Sequence, residues 1–215
     1  MIRGVIFDMD GVLVRTDALH YQSWRRLADE EGLRFDERIN QRLRGLTRAE
    51  SLDVVLAASG RVCRPEQKQA LADRKNAAFL ALAERLTPAD LPPSVTTLLD
   101  ELRRRGIKTA VASSSRNTRP ILARVGLAER FDAIVDANDV PLSKPDPAVF
   151  LRAAELIGLT PSECLVIEDG LAGVEAARRA GMAVLGVGPA KSLPGVPRRA
   201  DSLADVTVDT LLDVK

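Results

Sequence analysis

From Pro93 onward, short apolar runs rich in β-branched residues alternate with helical segments that end on glycine, and no other feature restricts the fold as much. Strands are expected at 107–112, 133–135, 165–167 and 183–187. Helices are expected between them at 117–125, 146–158 and 171–180, closed by Gly126, Gly158 and Gly181. Strands joined through helices run parallel, and their apolar content on both faces requires helices on both sides of the sheet. A first strand at 2–7 belongs to the same sheet.

Residues 15–87 break the alternation and read as helix throughout. Asp17 can cap a helix that runs to Glu31 and closes at Gly32. Thr47 and Glu50 have capping-box spacing at the start of a helix over 48–58. Pro65 suits the first turn of a long helix to about residue 85, which Thr87-Pro88 stops. An all-helical insert after the first strand of an α/β sheet is most economically a cap on two linkers. The expected architecture is therefore α/β, with a Rossmann-like parallel-sheet core domain (1–15 and 88–215) and an inserted all-helical cap domain (16–87). The proline-rich stretch from Pro189 to Arg199 is expected to be a surface loop.

Composition narrows the function classes. The 31 basic and 30 acidic residues nearly cancel, and aromatics make up 3%, so neither a phosphate-tracking surface nor base-stacking platforms are indicated. No nucleic-acid or membrane partner is expected. Cys63 and Cys164 are isolated, without metal-ligand or disulfide spacing. No apolar run approaches membrane-spanning length, and no signal-peptide pattern precedes the first strand. A monomer in the cytoplasm is the expectation.

The chemistry gathers at strand ends. Asp8-Met9-Asp10-Gly11-Val12 follows Val5-Ile6-Phe7, and strand period would turn Asp8 and Asp10 to one side. Ser113-Ser114-Ser115-Arg116-Asn117, Ser143-Lys144-Pro145 and Glu168-Asp169-Gly170 each follow a later strand. Any one of these is common as a turn, a surface lysine or a helix cap. Jointly they deliver carboxylates, hydroxyls and a cation to the crevice at the carboxyl ends of a parallel sheet. Carboxylates suit Mg²⁺, while Lys144 and the serine loop suit a phosphoryl group. In the expected cap, Lys75 interrupts an apolar stripe of Leu71, Ala78 and Leu82, either snorkelling at its edge or facing the cleft. Arg48 sits at a helix start, where a cation opposes the dipole, and makes better sense as an anion clamp.

These four motifs resemble those of the haloacid dehalogenase superfamily over essentially the whole chain. The resemblance implies that Asp8 is the nucleophile that forms an aspartyl-phosphate and Asp10 the general acid/base. It implies Mg²⁺ on the Asp8 carboxylate, the Asp10 main-chain carbonyl and Asp169, with Glu168 nearby, and phosphoryl oxygens held by Ser113 and Lys144. Thr16, His20, Trp24, Gly45-Leu46-Thr47-Arg48, Ser51, Arg74-Lys75-Asn76 and Pro88-Ala89-Asp90 resemble the cap and linker signature of that superfamily's sugar-phosphate mutases. Ser114, Ser115, Arg116 and Asn117 of the core resemble it as well. The implied activity is the interconversion of β-D-glucose 1-phosphate and glucose 6-phosphate through β-glucose 1,6-bisphosphate, with a sugar-phosphate phosphatase as the alternative. His20 and Lys75 would link cap closure to Asp10, and Trp24, Gly45, Leu46, Thr47, Arg48, Ser51, Lys75 and residues 114–117 would bind substrate. Gly170, Ser114 and Arg116 depart from the usual serine, alanine and lysine without removing a catalytic group.

Overall fold

A computed structural model describes residues 1–212. Six strands form one parallel sheet in the order β3-β2-β1-β4-β5-β6: β1 (Gly4–Phe7), β2 (Lys108–Ala112), β3 (Ala133–Val135), β4 (Cys164–Glu168), β5 (Ala183–Val187) and β6 (Arg198–Ala200). Strand period divides their side chains between two cores. Val5, Phe7, Val111, Leu165 and Ile167 pack on one face with α5 (Pro93–Arg104), α6 (Thr118–Arg124) and α9 (Val208–Leu212). Ile6, Ala110, Ala112, Cys164 and Val166 pack on the other with α7 (Ala148–Leu156) and α8 (Leu171–Arg179).

Helices α1 (Asp17–Glu31), α2 (Glu37–Gln41), α3 (Arg48–Ala58) and α4 (Pro65–Ala83) lie between β1 and the rest of the sheet and form the helical cap. A separate core of Trp24, Leu27, Ile39, Leu52, Val55 and Leu71 holds α1, α2 and α3 to the first half of α4. Thr47 and Glu50 make the expected capping box reciprocally. The far end of α4 leaves the cap core: Phe79 and Ala83 pack with Val12 and Leu13 of the sheet domain.

Four expectations change. Asp17 does not cap α1 but is its first residue, after Thr16 at the N-cap position. Residues 198–200 are not loop but the edge strand β6, short and arginine-rich because one side of it meets solvent. A 3₁₀ turn, Gly188–Ser192, precedes it. Strand β1 ends at Phe7, so strand period cannot align Asp8 with Asp10; the chain turns instead through Met9 to Val14, with the amides of Leu13 and Val14 on the Met9 carbonyl. The buried face of α4 is Leu71, Ala72, Lys75, Phe79 and Ala83 rather than a stripe through Ala78 and Leu82. Lys75 is therefore interior and does not snorkel.

Candidate active site

In the order 3-2-1-4-5 the chain reverses direction across the sheet beside β1, and a crevice opens at the carboxyl ends of the strands there. A cleft of about 430 Å³ lies at that end, roofed by the cap. Asp8, Asp10, His20, Trp24, Gly45, Leu46, Thr47, Arg48, Ser51, Lys75, Ser113, Ser114, Ser115, Arg116, Asn117, Lys144 and Asp169 all line it. Among the residues singled out by sequence, Thr16 and Glu168 lie behind its wall. Arg74 turns away altogether and pairs with Glu30 and Glu31 on the outside of the cap.

Asp8, just past β1, donates its amide hydrogen to the Ile167 carbonyl of β4, which sets it beside Glu168. Lys144 Nζ donates to Asp8 Oδ1 at 2.6 Å and to Glu168 Oε2 at 2.8 Å, and is itself buried over the Phe150 ring. Burial alone would lower this ammonium's pKa, but the two carboxylates raise it and keep it charged. The other oxygen of Glu168 accepts the amides of Asp169 and Gly170. Gly173, on α8, leaves the room this requires: a Cβ there would stand 1.8 Å from Glu168 Oε2.

Asp8, Glu168 and Asp169 each bring one oxygen within 4.8 Å of the others, and all three are buried. Burial and the neighbouring Glu168 push Asp8 well above the usual carboxylate range and Asp169 to about 8, against the pull of Lys144 and Arg44 respectively. Three hard oxygen donors short of positive charge fit a divalent cation such as Mg²⁺. The backbone is shaped to suit: Gly11 has φ +80, and a Cβ on it would come within 2.3 Å of Asp169 Oδ2.

Asp10 belongs to a different network. Its Oδ1 accepts a short hydrogen bond from Thr16 Oγ1 and faces His20 Nε2 across 3.6 Å. Burial would raise this carboxyl, but His20 and Thr16 outweigh it and hold it below the usual range. His20 stacks on Phe79, and its Nδ1 lies 2.9 Å from Lys75 Nζ. Burial and the Lys75 charge, against Asp10, lower the imidazole's pKa and keep it neutral. A charged Lys75 makes Nδ1 the acceptor and leaves the ring proton on Nε2, toward Asp10. The two aspartates are thus separated chemically, one with a cation and carboxylates, the other with a hydroxyl and an imidazole.

Burial, aided by Arg48 and opposed by Asp10, lowers Lys75 from 10.5 to about 7. Between these values the unfolded chain holds a proton that the folded chain has released. Stability from this group therefore rises with pH over that interval and is flat below it. Thermal melts of the parent and Lys75→Met at pH 6.5 and 9.5 check this. The stability advantage of the variant over the parent is expected to shrink by at least about 2–4 °C, or about 1 kcal/mol for a chain of this size. Parallel curves would contradict it.

The serine loop after β2 is self-supporting. Ser113 Oγ accepts from the Ser115 amide and Ser115 Oγ from the Asn117 amide, leaving the hydroxyl protons to donate elsewhere. The buried Ser114 Oγ has no hydrogen-bond partner among the described residues. Asn117 Nδ2 donates to Asn76 of α4 at 2.8 Å, and Ser143 meets Glu50 of α3 at 3.4 Å, both tying core to cap. Arg48 is half-buried at the start of α3, near Asp73 and the Ala72 carbonyl, and close enough to Arg116 of the core to feel its charge.

Sequence reasoning missed Arg44, which donates to Asp169 at 2.5 Å, and Asp17, its second partner. It also missed Glu50 as a cap-to-core contact and Gly173 as the space for Glu168. A glycine three residues after Gly170 was visible, but only the fold puts the Glu168 carboxylate over it.

Residues 2–181 match the family model of haloacid dehalogenase-like hydrolases. The chain is 38% identical over 212 residues to a β-phosphoglucomutase of Bacillus subtilis, covering 98% of this chain and 94% of that one. It is 32% identical over 184 residues to a phosphorylated carbohydrates phosphatase of Thermotoga maritima, covering 84% and 82%. A crystal structure of β-phosphoglucomutase from Clostridium difficile superposes with a TM-score of 0.91 at 33% identity, covering 98% of this chain and 96% of that one.

Proposed function

Because the chain belongs to the haloacid dehalogenase-like hydrolase family, we propose that it is a phosphohexomutase interconverting β-D-glucose 1-phosphate and glucose 6-phosphate through an aspartyl-phosphate and β-glucose 1,6-bisphosphate. One observation carries the mutase reading. The cleft has two separate cation sets: Lys144, fixed to Asp8 and Glu168, and Arg48 of the cap with Arg116 of the core, which both line it and lie close enough for Arg48 to feel the charge of Arg116. Arg48 has Asp73 at 3.7 Å, but that carboxylate is exposed and the pair is weakened by solvent, so an anion between the two guanidinium groups would offset their repulsion. A bisphosphate needs both sets, whereas a phosphatase acting on a monophosphate needs only the first. The mutases among the relatives support the same reading.

Asp8 and Asp169, with the Asp10 carbonyl and with Glu168 behind, would hold Mg²⁺, whose chemistry there is to polarise a phosphoryl oxygen and offset carboxylate repulsion. An oxygen of Asp8 attacks phosphorus as the bond to the sugar oxygen breaks, and Asp10 gives that oxygen its proton. In the return step Asp10 takes the proton of the accepting hydroxyl while the Asp8–phosphorus bond breaks. Lys144 keeps Asp8 oriented and neutralises the transferring group together with Ser113. His20 and Lys75 hold Asp10 from the cap side, so the acid/base group is in position when the cap is closed and water is excluded. The joints near residues 15 and 88 are the proposed hinge between the domains.

Arg48→Ala is expected to weaken bisphosphate binding and lower mutase turnover by roughly 10- to 100-fold, the scale of one lost hydrogen bond to a charged group. Slow hydrolysis of a small donor such as acetyl phosphate is expected to stay near the parental rate. Steady-state assays of both reactions check this, and equal losses in both would favour the phosphatase.

A further inference from the structure

Arg44 lies in the turn between α2 and α3, on the cap, yet its guanidinium reaches into the core. Nη1 donates to Asp169 Oδ2 at 2.5 Å, and Nη2 to Asp17 Oδ2 of α1 at 3.3 Å. The turn rests directly on the loop that carries Asp169: a Cβ at Gly170 would stand 3.5 Å from both Arg44 C and Gly45 N, and one at Gly45 would touch Ala172. The oxygen that Arg44 takes is the one turned toward Gly11 and the loop of Asp8 and Asp10. No step of the phosphoryl transfer uses this side chain.

We propose that Arg44 is a cap-borne stand-in for the divalent cation, so that guanidinium and metal contend for the Asp169 carboxylate and metal binding releases this cap-to-core tie. The inference rests on the reading of Asp8 and Asp169 as metal ligands. A guanidinium bonded to a buried carboxylate satisfies the charge that a metal would otherwise satisfy, and two cations on one carboxylate repel each other. Asp17 makes the exchange possible. It is half-exposed and on the cap, so Arg44 keeps a partner after leaving Asp169, and only the contact between domains is lost.

The test is calorimetric titration of Mg²⁺ into the full-length protein, free of substrate and phosphate, for the parent, Arg44→Gln and Arg44→Lys. Arg44→Gln should bind Mg²⁺ about tenfold tighter or more, the change given by losing one competing charge-assisted hydrogen bond. Arg44→Lys keeps the charge without the planar fork and should fall between the two. Melting curves establish that each protein is folded; Arg44→Lys retains a cation at the site and so serves if Arg44→Gln does not fold. Affinity equal to or weaker than the parent's in a folded variant overturns the inference and leaves the metal reading standing. No heat of binding in any of the three overturns the metal reading itself, and the inference with it.

Discussion

Asp8→Asn is expected to lower turnover by roughly 10⁴-fold or more, the scale on which an enzyme loses its nucleophile. The amide keeps the shape of the carboxylate but cannot form the acyl-phosphate. Lys144 retains Glu168 as an ionic partner, so the fold should survive. The discriminating measurement is phosphoryl transfer from a labelled donor to the protein. The parent should carry a label that is labile to hydroxylamine, and the variant none. A label of the same kind on Asp8→Asn would remove the covalent mechanism.

Asp10→Asn is expected to slow catalysis by about 10²–10⁴-fold, the usual contribution of a general acid/base. This loss should depend on the leaving group. A sugar oxygen needs a proton as it departs, whereas the carboxylate that leaves acetyl phosphate does not. Labelling of Asp8 from acetyl phosphate should therefore remain close to the parental rate, while turnover of the hexose phosphate falls. The structural basis is the separation of the two aspartates: Thr16 and His20 hold Asp10, whereas Lys144 holds Asp8. Equal slowing with both donors would mean that Asp10 acts only by positioning Asp8.

The strands and the long cap helices were legible because each is signalled locally. β-branched runs, closing glycines and the Thr47–Glu50 box work over a few residues, and the cap was evident as a helical insertion after the first strand. Most of the cleft lining was legible for a related reason, since a parallel sheet gathers whatever follows its strands at one end. What stayed hidden depends on contacts distant in sequence. Arg44 and Asp169 are 125 positions apart, and no period or spacing links them. The five-residue α2, capped by Asp36, is too short to show a helical period. Strand β6 exists because Leu185, Gly186 and Val187 offer it an edge, and its own Arg198-Arg199-Ala200 carries no strand signal. Lys75 could be seen to break an apolar stripe, but its direction depended on His20, 55 residues earlier. Asp8 and Asp10 both reach one cleft, as expected, but through the turn from Met9 to Val14 rather than through strand period, because β1 ends at Phe7.

The central claim is that the phosphoryl group on Asp8 returns to a sugar rather than to water. ³¹P NMR tests it most directly, following β-D-glucose 1-phosphate with Mg²⁺ and a trace of β-glucose 1,6-bisphosphate. The account predicts that the substrate signal is replaced by that of glucose 6-phosphate, with inorganic phosphate remaining a minor product throughout. Stoichiometric release of inorganic phosphate, with little glucose 6-phosphate at any time, would contradict it and make the protein a sugar-phosphate phosphatase.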